Sequence, residues 1–267
     1  MNCQELQNKI SQLKDLKQKF EASYADFKKQ IEIAPSDETA KRLALDKINP
    51  YRDEIEAVFS WFEKYSLERQ IKVKWQKFYQ EVIKKAIPDY KIPDFENVKV
   101  PEYQEGFGWT VIVDKNLTYN QIKKVCEVSF DCELNFDLED IDFAQEERSP
   151  QKNGSYAIRI RNREESDKEN ANMSANQIKE QQIKTMTLLE RLILELYHTL
   201  GLHHRWSNDD YDGNYLDVEG GSITLCSGSR YLDGYVPFAG YHEGKFKVLS
   251  DVPNGASDDS RARTVIA

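Results

Sequence analysis

The chain has 267 residues, with 46 acidic against 37 basic side chains, a net charge of −9 and a pI of about 5.2. A field of that sign repels phosphate backbones and anionic lipid, so no nucleic acid and no membrane surface is expected as a partner. Residues Met1 to Leu6 lack the cationic start and apolar stretch of a secretory leader, and no run is long enough to span a bilayer, so the expected location is cytoplasmic.

The length allows one large or two ordinary domains, and two is the working expectation. From Leu6 the residues Ile10, Leu13, Leu16 or Lys17, Phe20, Tyr24, Phe27 and Ile31 recur every three or four positions, which predicts one long helix ending near Pro35. Ser36 and Asp37 can cap a second helix carrying Leu43, Ile48, Ile55, Val58, Phe59 and Phe62. A third opens at Ser66, carries Leu67, Ile71, Trp75, Phe78, Tyr79, Val82 and Ile83, and is ended by Pro88. Single apolar stripes must be buried on each other or on a partner. Residues 1–92 are therefore read as a helical bundle or hairpin, with a homo-oligomer through these helices as the alternative use.

Pro88, Pro93, Pro101 and Gly106 mark the boundary to an α+β domain over 93–267. Trp109 to Asp114 and Tyr156 to Ile160 read as strands. Thr118 with Gln121, Ser174 with Gln177 and Thr187 with Glu190 are capping-box spacings that open three helices. The third of these carries Leu188, Leu189, Leu192, Ile193, Leu196 and Leu200 and is the expected core helix. After residue 221 come four short apolar runs, 223–226, 235–238, 245–249 and 262–266, predicting an antiparallel β-meander with exposed loops. The run from Asp131 to Glu147 is densely acidic and expected at the surface. Cys3, Cys126, Cys132 and Cys226 form no CxxC pair, which predicts reduced, mostly buried thiols.

Two motifs suggest metals. Glu195-Leu-Tyr-His198 followed by Gly201, His203 and His204 resembles the metzincin zinc-peptidase pattern, but Leu194 stands where its first histidine ligand belongs. Glu195, His198 and His204 could hold zinc in another arrangement, as a zinc-dependent hydrolase or a degenerate relative of one. The alternative is a core helix ending at Gly201, its histidines complementing the C-terminal dipole. Asn208, Asp210, Asp212, Asn214 and Glu219 resemble an EF-hand calcium loop, although Asn208 replaces the opening aspartate and Gly220-Gly221 stands where an exiting helix should begin. No cofactor is the expectation, with calcium or zinc as alternatives. GxSxG, Walker and GxGxxG motifs are absent, and nothing near Cys226-Ser-Gly-Ser229 in sequence supplies a base.

The C-terminal stretch alternates two kinds of residue. Cys226, Ser229, Arg230, Asp233, Gly234, Val236, Pro237, Val248 and the Arg261-Ala-Arg263 triplet look like framework. Tyr231, Tyr235, Phe238, Tyr241, His242, Ser250, Asp251, Asn254 and Ser257 are the types that recognition loops favour, since tyrosine offers rigid contact area and small polar residues adapt. The pattern TLCxGSRxxDGxVP with a closing RAR-V resembles the variable proteins of diversity-generating retroelements over at most residues 106–267. The resemblance implies a C-type-lectin-like fold whose loops display mutable positions, drawn from Tyr, Ser, Asp, Asn, His and Gly, to a protein or glycan ligand.

Overall fold

The computed structural model describes residues 3–33, 67–137, 140–200, 216 and 222–267, with single helical positions at 54, 57, 60 and 64. The chain divides into two compact units, Met1–Gln70 and Ile71–Ala267. In the first, helix α1 (Cys3–Ile33) has the predicted extent, buries Leu16 while Ile10 and Tyr24 are exposed, and carries the i,i+4 pairs Lys17–Glu21 and Lys19–Asp15. The second helix expected over 43–62 lies outside the described residues, apart from the isolated positions. No helix among the described residues is long and apolar enough to cross a membrane.

The second unit is α+β. Helix α2 runs from residue 67 to Ala86, with a π-turn at Tyr79–Ile83. From Ile71 onward its apolar side chains belong to this unit, not to a separate bundle. Trp75, Phe78, Tyr79 and Ile83 are buried in the α+β core; Trp75 stacks on Tyr197 at 4.4 Å and donates from Nε1 to the Thr110 carbonyl at 3.1 Å. The division at Gln70/Ile71 thus falls within the first turns of this helix, whose stripe from Ile71 onward is the complement of the first strand and the core helix. Strand β1 (Trp109–Val113), helix α3 (Tyr119–Ser129), strand β2 (Cys132–Leu134), the short helix α4 (Pro150–Asn153) and strand β3 (Tyr156–Ile160) follow. Next come helices α5 (Ala175–Glu180) and α6 (Leu188–Thr199). Strands β4 (Ile223–Leu225), β5 (Val236–His242), β6 (Lys245–Asp251), β7 (Ser260–Arg261) and β8 (Val265–Ile266) close the chain. All three predicted capping boxes form.

One sheet has the order β1-β3-β8, the other β2-β6-β5-β4-β7. The expected antiparallel meander is corrected to a mixed sheet: β5 pairs antiparallel with β6 and β4, but β2 runs parallel to β6 and β7 parallel to β4. The last apolar run leaves this sheet altogether, and Val265–Ile266 pair with β3. Its direction is set by bonds around it. Arg263 Nε donates to Thr224 Oγ1 at 3.1 Å, Met186 N–H to the Arg263 carbonyl at 3.0 Å, and Val265 N–H to the Lys184 carbonyl at 2.9 Å.

Helix α6 is the axis of the unit. Every residue from Leu188 to His198 is buried, including Glu190, Arg191 and Glu195 at 0 % exposure. Against its start lies Gly228, where an added Cβ would stand 2.7 Å from the Thr185 carbonyl oxygen and 3.0 Å from that of Met186. Backbone cannot swing aside as a side chain does, so Gly228→Ala should destabilise the unit by about 2 kcal/mol, read as a lowered denaturation midpoint at unchanged m-value.

Candidate functional site

Ser229 and Arg263, two of the framework residues of the C-terminal segment, come to the N-terminus of α6, where four backbone N–H groups need partners outside the helix. Thr187 and Glu190 supply the capping box. Leu188 N–H donates to Ser229 Oγ at 3.0 Å and Leu189 N–H to Tyr119 Oη at 3.1 Å. Both hydroxyls pass the interaction on by donating to Glu146 Oε1, Ser229 at 2.8 Å and Tyr119 in a short contact. Glu190 takes a two-point bond from Arg148, Nε at 2.9 Å and Nη2 at 3.0 Å. One turn on, Arg191 pairs with Glu195 at 2.7 Å and, with Arg263, donates to Thr224 Oγ1. Thr185 and Ser227 hydroxyls join at 2.8 Å, and Arg230 Nη1 donates to the carbonyls of Ser227 and Ser229, each at 2.8 Å. Thr224, Ser227 and Ser229 are thus bonded by their side chains to the helix or the residues just before it, and Arg230 ties the loop to itself.

Ser229 does have a carboxylate neighbour, one that sequence separation concealed. The serine is fully buried and its oxygen already accepts Leu188 N–H, so the pair holds structure together. Burial likewise pushes up the Cys126 thiol, and Cys226 is a fully buried small apolar residue. Glu146 was hidden inside the acidic run; nothing in the one-dimensional pattern separates it from the exposed carboxylates around it.

The nine predicted ligand residues fall into four places. Tyr231 and Tyr241 are core residues, at 6 % and 9 % exposure, with the Tyr241 ring against Phe246 at 5.7 Å. Phe238 is half-buried against the small cluster of Ile178, Leu225 and Val236. His242 is exposed at the β5–β6 turn, seven residues from Tyr235 and so about 23 Å away along the strand. Tyr235, Ser250, Asp251, Asn254 and Ser257 gather at or beyond the open end of that hairpin, where Val236 pairs with Asp251. There the exposed apolar side chains are Tyr235 at 40 %, Leu232 at 68 % and Val252 at 45 %; the last two were not singled out from sequence.

Of the zinc candidates, Glu195 is buried with its carboxylate accepting from Arg191 and, at 2.6 Å, from Thr199 Oγ1; His198 is buried with its ring 5.5 Å from that of Trp109. His204 lies outside the described residues, as do Asn208, Asp210, Asp212, Asn214 and Glu219 of the calcium motif. Among the described residues no three His, Cys, Asp or Glu side chains are grouped to hold a metal ion. Comparison of the chain with models of protein families, with curated proteins and with solved structures returns no match.

Glu146 gives this network a pH signature. Burial raises its pKa from 4.5 to about 7, with the Glu190 carboxylate pushing the same way against the two hydroxyl bonds and Lys152. Between those values the folded chain holds a proton that the unfolded chain releases, so stability is greatest below pH 4.5 on this account and is lost as pH rises toward 7. The loss is on the order of 3 kcal/mol. Melting temperatures measured from pH 5 to 8 should fall for the wild type and change less for Glu146→Gln, which keeps an acceptor for both hydroxyls but does not ionise.

Proposed function

We propose that this chain is a non-enzymatic recognition protein: a C-type-lectin-like scaffold within the unit Ile71–Ala267 that presents the open end of the β5–β6 hairpin to a ligand. The observation carrying the reading is a division of labour inside one segment. Between Thr224 and Arg263, the side chains of Thr224, Ser227, Ser229, Arg230 and Arg263 are buried and bonded into the fold, whereas Leu232, Asp233, Tyr235, Val252, Asn254 and Ser257 project outward. Function concentrates on loops held by a rigid base, and surface positions freed from structural duty tolerate replacement. That is the physical requirement for a surface whose residues are exchanged while the fold is kept, as the resemblance to diversified variable proteins implies. Two small sheets joined through helices, with the last strand returned to the sheet of the first, support the C-type-lectin-like reading of the scaffold.

Two measurements test it together. Simultaneous substitution of Leu232, Asp233, Tyr235, Val252, Asn254 and Ser257 should leave stability within about 1 kcal/mol of wild type, whereas Ser229→Ala alone should cost about 2 kcal/mol through the orphaned Leu188 N–H. On protein and glycan arrays, binding by the wild type should be lost in Tyr235→Ala and Leu232→Ser variants that melt normally. Array binding indifferent to both substitutions would remove the proposed surface from consideration.

A further inference from the structure

The acidic run and the recognition surface, far apart in sequence, are neighbours in the fold. Ile141 forms a β-bridge with Tyr231, Leu232 N–H donates to the Asp140 carbonyl at 2.7 Å, and Asp142 N–H to the Arg230 carbonyl at 2.8 Å. The segment carrying Asp137, Asp140 and Asp142 therefore lies alongside the turn that presents Leu232 and Tyr235. Asp233 sits within that turn, and Asp251 adjoins Val252 at the strand end paired with Val236.

The two ends of the β5–β6 hairpin handle their carboxylates differently. At the turn end, Lys245 pairs with Asp131, and Lys247 with Glu133 and Glu243. At the open end Asp137 has Lys123 at 3.4 Å and Asp258 has Arg261 at 3.6 Å, yet among the described residues no lysine or arginine pairs with Asp140, Asp233 or Asp251. These three use one carboxylate oxygen in local turns, accepting the N–H groups of Asp137, Tyr235 and Val252 respectively. Their charges are left uncompensated around exposed Leu232, Tyr235 and Val252. An apolar centre with a single-sign rim selects a partner of opposite rim charge and disfavours anionic or uncharged ones.

From this we infer that the surface binds a cationic protein segment, one presenting apolar side chains to Leu232, Tyr235 and Val252 within a lysine- or arginine-rich border. The inference rests on the recognition reading above and adds the class of partner. Neutral glycans gain nothing from the uncompensated carboxylates, and nucleic acid and anionic lipid are repelled by them.

The test uses the full chain and a fluorescently labelled amphipathic peptide of lysine and leucine, with a glutamate–leucine peptide as the opposite-charge probe, followed by anisotropy. The chain should bind the lysine peptide, several-fold more weakly at about 200 than at about 50 mM salt, and should not bind the glutamate peptide. The double variant Asp140→Asn, Asp233→Asn keeps the turn-forming oxygens and removes only charge; it should weaken binding about tenfold. Tyr235→Ala should weaken it comparably, while Asp131→Asn with Glu133→Gln, at the compensated end, should leave it unchanged. Equal loss from the compensated-end variant, or none from Asp140→Asn with Asp233→Asn, overturns the inference. Array binding that needs Tyr235 but ignores Asp140 and Asp233 would keep the recognition surface and reject the cationic partner; loss of both dependences would reject surface and partner alike.

Discussion

The second unit is organised around the cost of placing Glu190, Arg191 and Glu195 on a helix that is buried on every side. A charge taken out of water without a partner costs several kcal/mol, so each must be met by a complementary group with correct geometry. Arg148 meets Glu190 at two points, Arg191 and Glu195 meet each other, and Thr224 oxygen collects the Arg191 and Arg263 guanidinium groups. Beyond the helix itself, those groups come from three separate stretches of the chain. Satisfying them fixes where the loop before α4, strand β4 and the penultimate residues must lie, which is why the unit has one arrangement and why the last strand is drawn away from its neighbours into the other sheet.

The same requirement explains the recurring residue types of the C-terminal segment. Threonine, serine and arginine there face inward and close the hydrogen-bond account of the helix start, with Gly228 letting the loop backbone come against the carbonyls of Thr185 and Met186. A helix N-terminus carries partial positive charge from its unpaired N–H groups, and two hydroxyls relay that charge to the buried Glu146. Because the framework is tied down in this way, the turn at 231–235 and the end of the β5–β6 hairpin need only local turn bonds, such as those accepted by Asp233 and Asp251, to hold their place. Rigidity in the base is what frees the tip to serve as a contact surface.

Much of the local structure was legible in the sequence. The three capping boxes, the strands at 109–113 and 156–160, the core helix over 188–199 and the helical start of the chain all follow from short-range pattern, because capping and amphipathic periodicity act over a few residues. The site was legible in part. Tyr235, Asn254 and Ser257 sit at the exposed end of the hairpin, but Tyr231 and Tyr241 turned inward: an aromatic residue reads the same whether it packs in a core or projects from a loop, and strand register alone decides. Leu232 and Val252 went unnoticed for the mirror reason, since exposed aliphatics carry no mark in a linear pattern.

By itself, the sequence determined the α+β class, the local elements and the net acidity, all of which depend on composition or on neighbours within a turn or two. Tertiary structure alone decided that α2 joins the α+β unit, that the final strand changes sheets, that Glu146 is buried while its acidic neighbours are not, and that the acidic run borders the 231–235 turn. Each of those facts is a contact between residues tens of positions apart, selected by which buried charge or apolar face each one completes. No short-range propensity encodes that choice, because it is made by the whole set of partners at once.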